Sequence, residues 1–304
     1  MSIATINHPI TESGDRSLNA PGDRWAPSGF ARQITVVAAK ELRDAMRNRW
    51  FLLYAVLFAV LTTALSWISM AGSGMDGMAG FGRTAAGLVN VVLLIVPLMA
   101  LTVGAGTIAG ERDRGTLEYL LAHPITRGEL LFGKLLGSAV ALLATLSLGF
   151  GISMIVVAWR GHAHQVGSFL TLVISTDLLA LAMLSVGVLI SVICRRSAVA
   201  VGVAILVWFA LVFLTDLGLI GSTIAFRLQV RELFAAALAN PMQVFKMSVL
   251  QSIHATLDVL GPAGAYAVQA HGNHLTWLFA GAGAAWIIVP VGIAYILFAR
   301  RGDA

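Results

Sequence analysis

Six apolar runs, each long enough to cross a bilayer, constrain this chain more than anything else in it. They occupy residues 50–70, 84–109, 135–159, 168–194, 197–222 and 276–299. A helix needs about 20 apolar residues to cross roughly 30 Å of hydrocarbon. Backbone groups in lipid must be satisfied within the segment, so runs of this length dictate helices. Composition agrees, with 58% hydrophobic and 12% charged residues, where a soluble domain carries about 25% charged. The expectation is an all-α integral membrane protein with six transmembrane helices. Pro97 and Pro290 fall inside spans and are expected to kink them. Trp50, Trp159 and Trp277 sit near span ends, as interfacial aromatics do.

Only Asp177 and Asp216 bring charge into the spans. A carboxylate at mid-bilayer costs about 2.5–3.5 kcal/mol on insertion scales and is a functional candidate by default. The competing reading is a locally hydrogen-bonded structural group. Asp216 lies near the outer end of its span, where the cost fades, so Asp177 is the stronger candidate.

Counting Lys and Arg sets the orientation. With the N-terminus inside, fifteen of the twenty basic residues fall on the inner side, so both termini are expected in the cytoplasm. The formal charge of +5 is explained by this topology. The basic residues flank spans and do not interleave with aromatics, which argues against nucleic acid.

Residues 1–29 are rich in Pro, Gly, Ser, Asn and Asp, and they lack the apolar core of a signal peptide. They read as a disordered cytoplasmic tail. Residues 30–49 read as an amphipathic helix. Ile34, Val37, Ala38, Leu42, Ala45 and Met46 share one face, and Arg32, Lys40, Arg43, Asp44 and Arg47 fall elsewhere. Such a helix is expected to lie in the membrane interface.

The connector at residues 110–134 is the densest mixed-charge segment. Glu111, Asp113, Glu118 and Glu129 balance Arg112, Arg114, Arg127 and Lys134. Gly115 breaks the charged run. Residues 116–122 then suit about two helical turns, with Leu117, Leu120 and Leu121 at the i, i+3, i+4 spacing of one face. Pro124 stops that helix. Thr126 and Glu129 form a T-x-x-E capping box for the next span. A solvated loop is the plain alternative, but exposed leucines need a partner.

Residues 223–275 separate the fifth and sixth spans. Unstructured loops of that length are uncommon, and helical apolar stripes over 228–239 and 244–260, with Pro241 between them, predict helices on the outer face. They form either a lid over the bundle or a platform for an outer partner. The fourth and fifth spans join almost directly through Arg195 and Arg196 as a tight inner hairpin. Small residues recur at Gly106-x3-Gly110 and Gly133-x3-Gly137-x3-Ala141, a spacing that lets helices approach closely.

Catalytic chemistry is hard to find. Gly128-x4-Gly133-Lys134 mimics the opening of a phosphate-binding loop, but Leu135 stands where Ser or Thr must hold magnesium. The single Cys194 excludes an internal disulfide and a cysteine-based zinc site. His162, His164, His271 and His274, with Met75, Met78, Met242 and Met247, are of the soft-ligand type that suits copper. Their spacings define no site, and ordinary polar loops explain them as well.

The connector pattern Glu111-x3-Gly115-Thr116-Leu117-x2-Leu120-Leu121-x2-Pro124-x2-Arg127, ending in Gly133-Lys134, resembles the loop between the second and third spans of ABC-2 type permeases. Lys40-Glu41-Leu42-Arg43, continuing to Arg47-Asn48-Arg49, resembles their elbow helix. The likeness covers roughly residues 31–301. Within that family, Lys40 through Trp50, Ile108 through Leu117, and Asn240-Pro241-Met242-Gln243-Val244-Phe245-Lys246 are similar to the NosY type. The N-terminal tail is longer than the type suggests.

That resemblance implies a type V exporter-like fold, with an elbow helix before six spans and a coupling helix gripped by a separate cytoplasmic ATPase. On it, Glu111, Arg112, Arg114, Gly115, Thr116, Leu117, Leu120, Leu121, Pro124 and Arg127 carry the coupling. Asn240, Pro241, Val244, Phe245 and Lys246 face a periplasmic partner. The implied assembly is a homodimer in the bacterial inner membrane, with a NosF-type ATPase and a β-helical NosD-type periplasmic protein. A periplasmic copper chaperone and nitrous oxide reductase are indirect partners, and the implied role is maturation of that enzyme's copper–sulfur cluster. The chain itself would be non-catalytic and bind no cofactor, with ATP and magnesium in the ATPase. Charged replacements of Leu117 and Leu120 are expected to uncouple ATP hydrolysis from maturation. The rivals are a generic exporter of a small or lipid-linked molecule, which needs a polar passage, and a membrane-embedded enzyme, which needs a catalytic set.

Overall fold

A computed structural model describes residues 30–71, 77–121, 125–159, 166–214, 230–252 and 274–300. Every regular element among them is helical: α1 (Phe30–Arg47), α2 (Arg49–Ala71), α3 (Gly77–Asp113), α4 (Thr116–Leu121), α5 (Arg127–Trp159), α6 (Val166–Ile193), α7 (Ser197–Phe209), α8 (Val230–Leu238), α9 (Pro241–Ser252) and α10 (Leu275–Arg300). A π turn, Ala210–Leu214, continues α7. The N-terminal tail, Pro124, Asp216, His162, His164, His271 and Met75 lie outside the described residues.

Four segments are long and apolar enough to cross a membrane: Gly87–Asp113, Arg127–Ile155, Phe169–Ile193 and Leu275–Arg300. A fifth span arises if α1 and the start of α2, which meet at 68°, are read together as one. The six expected spans are thus present in part. The fifth predicted run appears as α7 and its π turn. Pro97 and Pro290 both sit inside continuous helices, α3 and α10.

The bundle is built on the crossing of α3 and α6. A Cβ on Gly104 would stand 2.5 Å from the carbonyl oxygen of Leu184, and one on Gly187 2.5 Å from that of Leu101. Glycine is therefore required on both sides, and the two backbones touch. Around this crossing Leu101, Ala105, Leu142, Leu146, Ala180 and Met183 form the main apolar core. The crossing is reinforced below. Ser191 Oγ on α6 accepts from the amides of Ile108 (2.9 Å) and Ala109 (2.8 Å) on α3.

The tight hairpin predicted between the fourth and fifth spans is present. Only Cys194, Arg195 and Arg196 separate α6 from α7, and Arg196 is extended at the head of α7, its carbonyl accepting from Ala200 N.

The amphipathic α1 is held against the bundle. Its apolar stripe faces α5. Gly133 and Gly137 leave room for it, since a Cβ on Gly133 would stand 2.6 Å from Val37 Cβ and one on Gly137 2.6 Å from Ala38 O. Val37 is buried in this seam, whereas Met46 is exposed and off the stripe. The other small-residue pair behaves differently. Beside Gly106 there is nothing within 4 Å, because it borders a cavity.

Two of the helices expected in residues 223–275 form, as α8 and α9. α8 starts two residues after its predicted stripe and α9 three residues before its own, because Pro241, placed between the stripes, opens α9 as a proline suited to the first helical turn. They do not lie loosely on the surface. Val244 and Met247 of α9 join Phe234 and Ala237 of α8 and Leu275 and Phe279 of α10 in a second apolar cluster. Met242 and Phe245 join the main core.

Candidate functional site

The site is where the α3–α4 connector meets α1 and α5. Its apolar floor combines Val37 (α1), Ile108 (α3), Leu117 (α4), Leu130 and Leu131 (α5), Val188 and Val192 (α6), and Phe298 (α10). Five long helices and the short α4 thus converge at one end of the bundle.

Local sequence rules set the connector's path. At the end of α3, Gly115 adopts φ +69, the left-handed conformation that glycine tolerates best. This reverses the chain into α4. The capping box is formed as predicted. Glu129 Oε2 accepts from Thr126 N at 2.7 Å and from Thr126 Oγ1 at 2.9 Å, and Thr126 Oγ1 accepts from Glu129 N at 3.3 Å.

Above the floor lies a cluster of ion pairs. Glu111 Oε1 is 3.0 Å from Lys134 Nζ, 3.6 Å from Lys40 Nζ and 3.6 Å from Arg114 Nη2. Lys134 Nζ also donates to Glu41 of α1. Lys40 lies 3.4 Å from Asp44. The other oxygen of Glu111 accepts from the hydroxyl of Thr116, the first residue of α4. Lys134 and Glu111 are only 2% and 4% exposed. A buried charge is tolerable only when paired and hydrogen-bonded, and here three carboxylates and three cations neutralise each other. Burial alone would lower the pKa of Lys40, but Glu41, Glu111 and Asp44 outweigh it and hold the ammonium above its ordinary range.

Beside the cluster opens a cavity of about 580 Å³, lined by Glu41, Arg47, Thr102, Thr107, Lys134 and Ser138 among others. Its wall is polar and of mixed charge.

The predicted coupling residues divide into distinct roles. Leu117 is 9% exposed and faces the protein's own floor, so it fixes α4 to the bundle and is not an outward-facing anchor. Tyr119 is the outward-facing aromatic of α4, 69% exposed. Leu120 and Leu121 belong to the α4 helix. Arg112 and Arg127 both reach helix ends. Arg112 Nη1 donates to Cys194 O at 2.7 Å and Arg127 Nη1 to Phe298 O at 3.3 Å. Cationic side chains favour such carbonyl-rich termini. Arg114 remains largely exposed.

The residues expected to meet an outer partner are mostly committed internally. Asn240, Pro241, Val244 and Phe245 are buried. Asn240 caps α9 by accepting from Met242 N at 2.8 Å and donates to Leu211 O at 2.9 Å. Lys246 is half-buried at the rim of a smaller cavity with Asn90 and Gln243. Met242 and Met247, weighed as soft metal ligands, are buried in apolar contacts. Among the described residues no group of three or more His, Cys, Asp or Glu is arranged to hold a metal. Asp177 is half-buried on α6.

Sequence reasoning names Glu41 in the elbow string and Lys134 at the end of the connector pattern but does not pair them or count either among the site residues. The glycine spacing at Gly133 and Gly137 marks the close helix contact that brings them together.

The chain matches a family model described as ABC-2 family transporter protein over residues 35–302. It is 30% identical over 275 residues to the probable ABC transporter permease protein NosY of Stutzerimonas stutzeri, covering 88% of this chain and 99% of that protein. It is 32% identical over 276 residues to the probable ABC transporter permease protein NosY of Pseudomonas aeruginosa, covering 88% and 98%. With its apolar helices and a match spanning nearly its whole length, the chain is a multi-pass membrane protein that belongs to the ABC-2 family of transporters and is similar to NosY permeases.

Proposed function

We propose that this chain is the permease of a NosY-type assembly. It works as a six-span homodimer in the bacterial inner membrane with both termini cytoplasmic, and α1 serves as its elbow helix. It receives force from a cytoplasmic NosF-type ATPase gripping α4, and passes it to a NosD-type periplasmic protein during maturation of nitrous oxide reductase. The chain is non-catalytic and binds no cofactor of its own; ATP and magnesium belong to the ATPase.

The observation that carries this reading is the construction of α4. It is a short helix held to the bundle by Leu117 and by the Glu111–Thr116 hydrogen bond, with Tyr119 turned outward. A lever needs that combination of a fixed inner face and an exposed outer one. Displacement of α4 reaches α3 and α5, which flank it, and through α3 the crossing with α6. A partner responds only if it contacts the two resulting states differently. On the outer side, contact falls to surface other than the buried side chains of Asn240, Pro241, Val244 and Phe245.

The test is purification of the tagged chain from native membranes, followed by copper analysis of nitrous oxide reductase from a deletion strain. Recovery of an ATPase and a copper-deficient enzyme support the reading. Absence of any ATPase refutes the coupling, and a fully loaded enzyme refutes the maturation role.

The polar cavity favours a second reading, export of a small polar or lipid-linked molecule, since a passage needs such a lining. Substrate-dependent stimulation of ATP hydrolysis in proteoliposomes separates it from purely mechanical transmission.

A further inference from the structure

We infer that Glu41 and Lys134 are positioning residues that join α1 to the α3–α4 connector, so that α1 travels with α4 as one body. The inference deepens the proposed coupling and rests on it for the origin of the motion, though the latch itself is a property of this chain alone.

Three observations converge. First, one buried ammonium serves carboxylates on two elements: Lys134 of α5 pairs with Glu41 of α1 and, at 3.0 Å, with Glu111 of α3. Second, Glu111 is bonded through its other oxygen to Thr116 at the head of α4. The route from α1 to α4 is therefore a continuous series of side-chain contacts: Glu41, Lys134, Glu111, Thr116. Third, the glycines on either side of Lys134 admit α1 so closely that no Cβ fits between them. Moving α1 off α5 would strand the ammonium between fewer carboxylates, and such a charge is strongly disfavoured when buried.

The device is polar and sits beside a polar cavity. Water there can take over the charges if the latch opens, which a sealed apolar seam would forbid. The arrangement thus holds the elements together at rest without welding them.

Electron–electron distance measurements on the chain with its ATPase in nanodiscs test this. Cys194 is the only cysteine, so Cys194→Ala gives a background free of native thiols. Spin labels replace Val36, exposed on α1, and Asp113, exposed at the connector end of α3, and a second pair joins Asp113 to Leu206, exposed on α7. Labelled chains are diluted with unlabelled ones to isolate distances within one copy. In the native background the 36–113 distance is expected to stay narrow and unchanged on adding ATP and magnesium, while the 113–206 distance shifts. Glu41→Gln is expected to broaden the 36–113 distribution and leave 113–206 narrow without nucleotide, a pattern that general loosening would not produce.

A 36–113 distance that shifts with nucleotide in the native background overturns the inference. So does Glu41→Gln that leaves both distributions narrow or broadens both. If no distance responds to nucleotide, the coupling reading fails, and the Glu41→Gln comparison still decides the latch.

Discussion

Gly104 and Gly187 meet where α3 crosses α6, each occupying space that a side chain on the other would need. The contact is between backbones, so neither helix can give way by choosing another rotamer. Gly187→Ala is expected to destabilise the protein by about 1–3 kcal/mol, the usual cost of overpacking. A thermal melt in detergent, read by loss of monodispersity, checks it; an unchanged midpoint would show that the crossing is looser than described.

Lys134→Met removes the cation that the buried Glu111 and the partly buried Glu41 share. Breaking a buried pair by deleting one partner costs about 3–5 kcal/mol. Replacing the whole set with neutral groups, as in Glu41→Gln with Glu111→Gln and Lys134→Met, is expected to recover most of that loss. Equal melting of the single and triple variants would contradict the pairing.

Thr126→Ala removes the capping box at the start of α5, for an expected loss of about 0.5–2 kcal/mol. Hydrogen exchange at the first amides of α5 should rise while the middle of the helix stays protected. Uniform exchange along α5 would deny the cap its local role.

Tyr119→Glu and Leu117→Ala separate grip from anchorage. Tyr119→Glu is expected to weaken capture of the ATPase by about 30-fold, as loss of an aromatic hot spot does, with insertion and melting unaffected. Leu117→Ala is expected to cost about 2 kcal/mol of stability through the vacated floor. Pull-down titration and melting on the same preparations distinguish the two. Reversed phenotypes would invert the assignment of α4's faces.

Much of the helical layout was legible because its causes are local. The apolar runs, the T-x-x-E pair at Thr126 and Glu129, the glycine at the end of α3 and the two-residue arginine turn all act within a few positions of themselves. What eluded the sequence depends on partners far along the chain. Leucines at helical spacing identify a stripe on α4, but not that Leu117 faces the protein's own α5, α6 and α10. Nothing local shows that Arg112 and Arg127 reach the carbonyl ends of α6 and α10. Lys134 reads as an interfacial cation, because its carboxylates sit 93 and 23 positions away. In the outer segment the stripes show that helices form, but not that Val244, Phe245 and Met247 pack into the bundle.

The hydroxyl of Ser191 gives α3 and α6 a fixed register. It takes two successive amides of the neighbouring helix, Ile108 and Ala109, so a slide of a single residue would break both bonds at once. Gear-like slippage along that seam is thereby closed off, and the two helices must pivot together. A displacement that arrives through α3 is therefore handed to α6 whole.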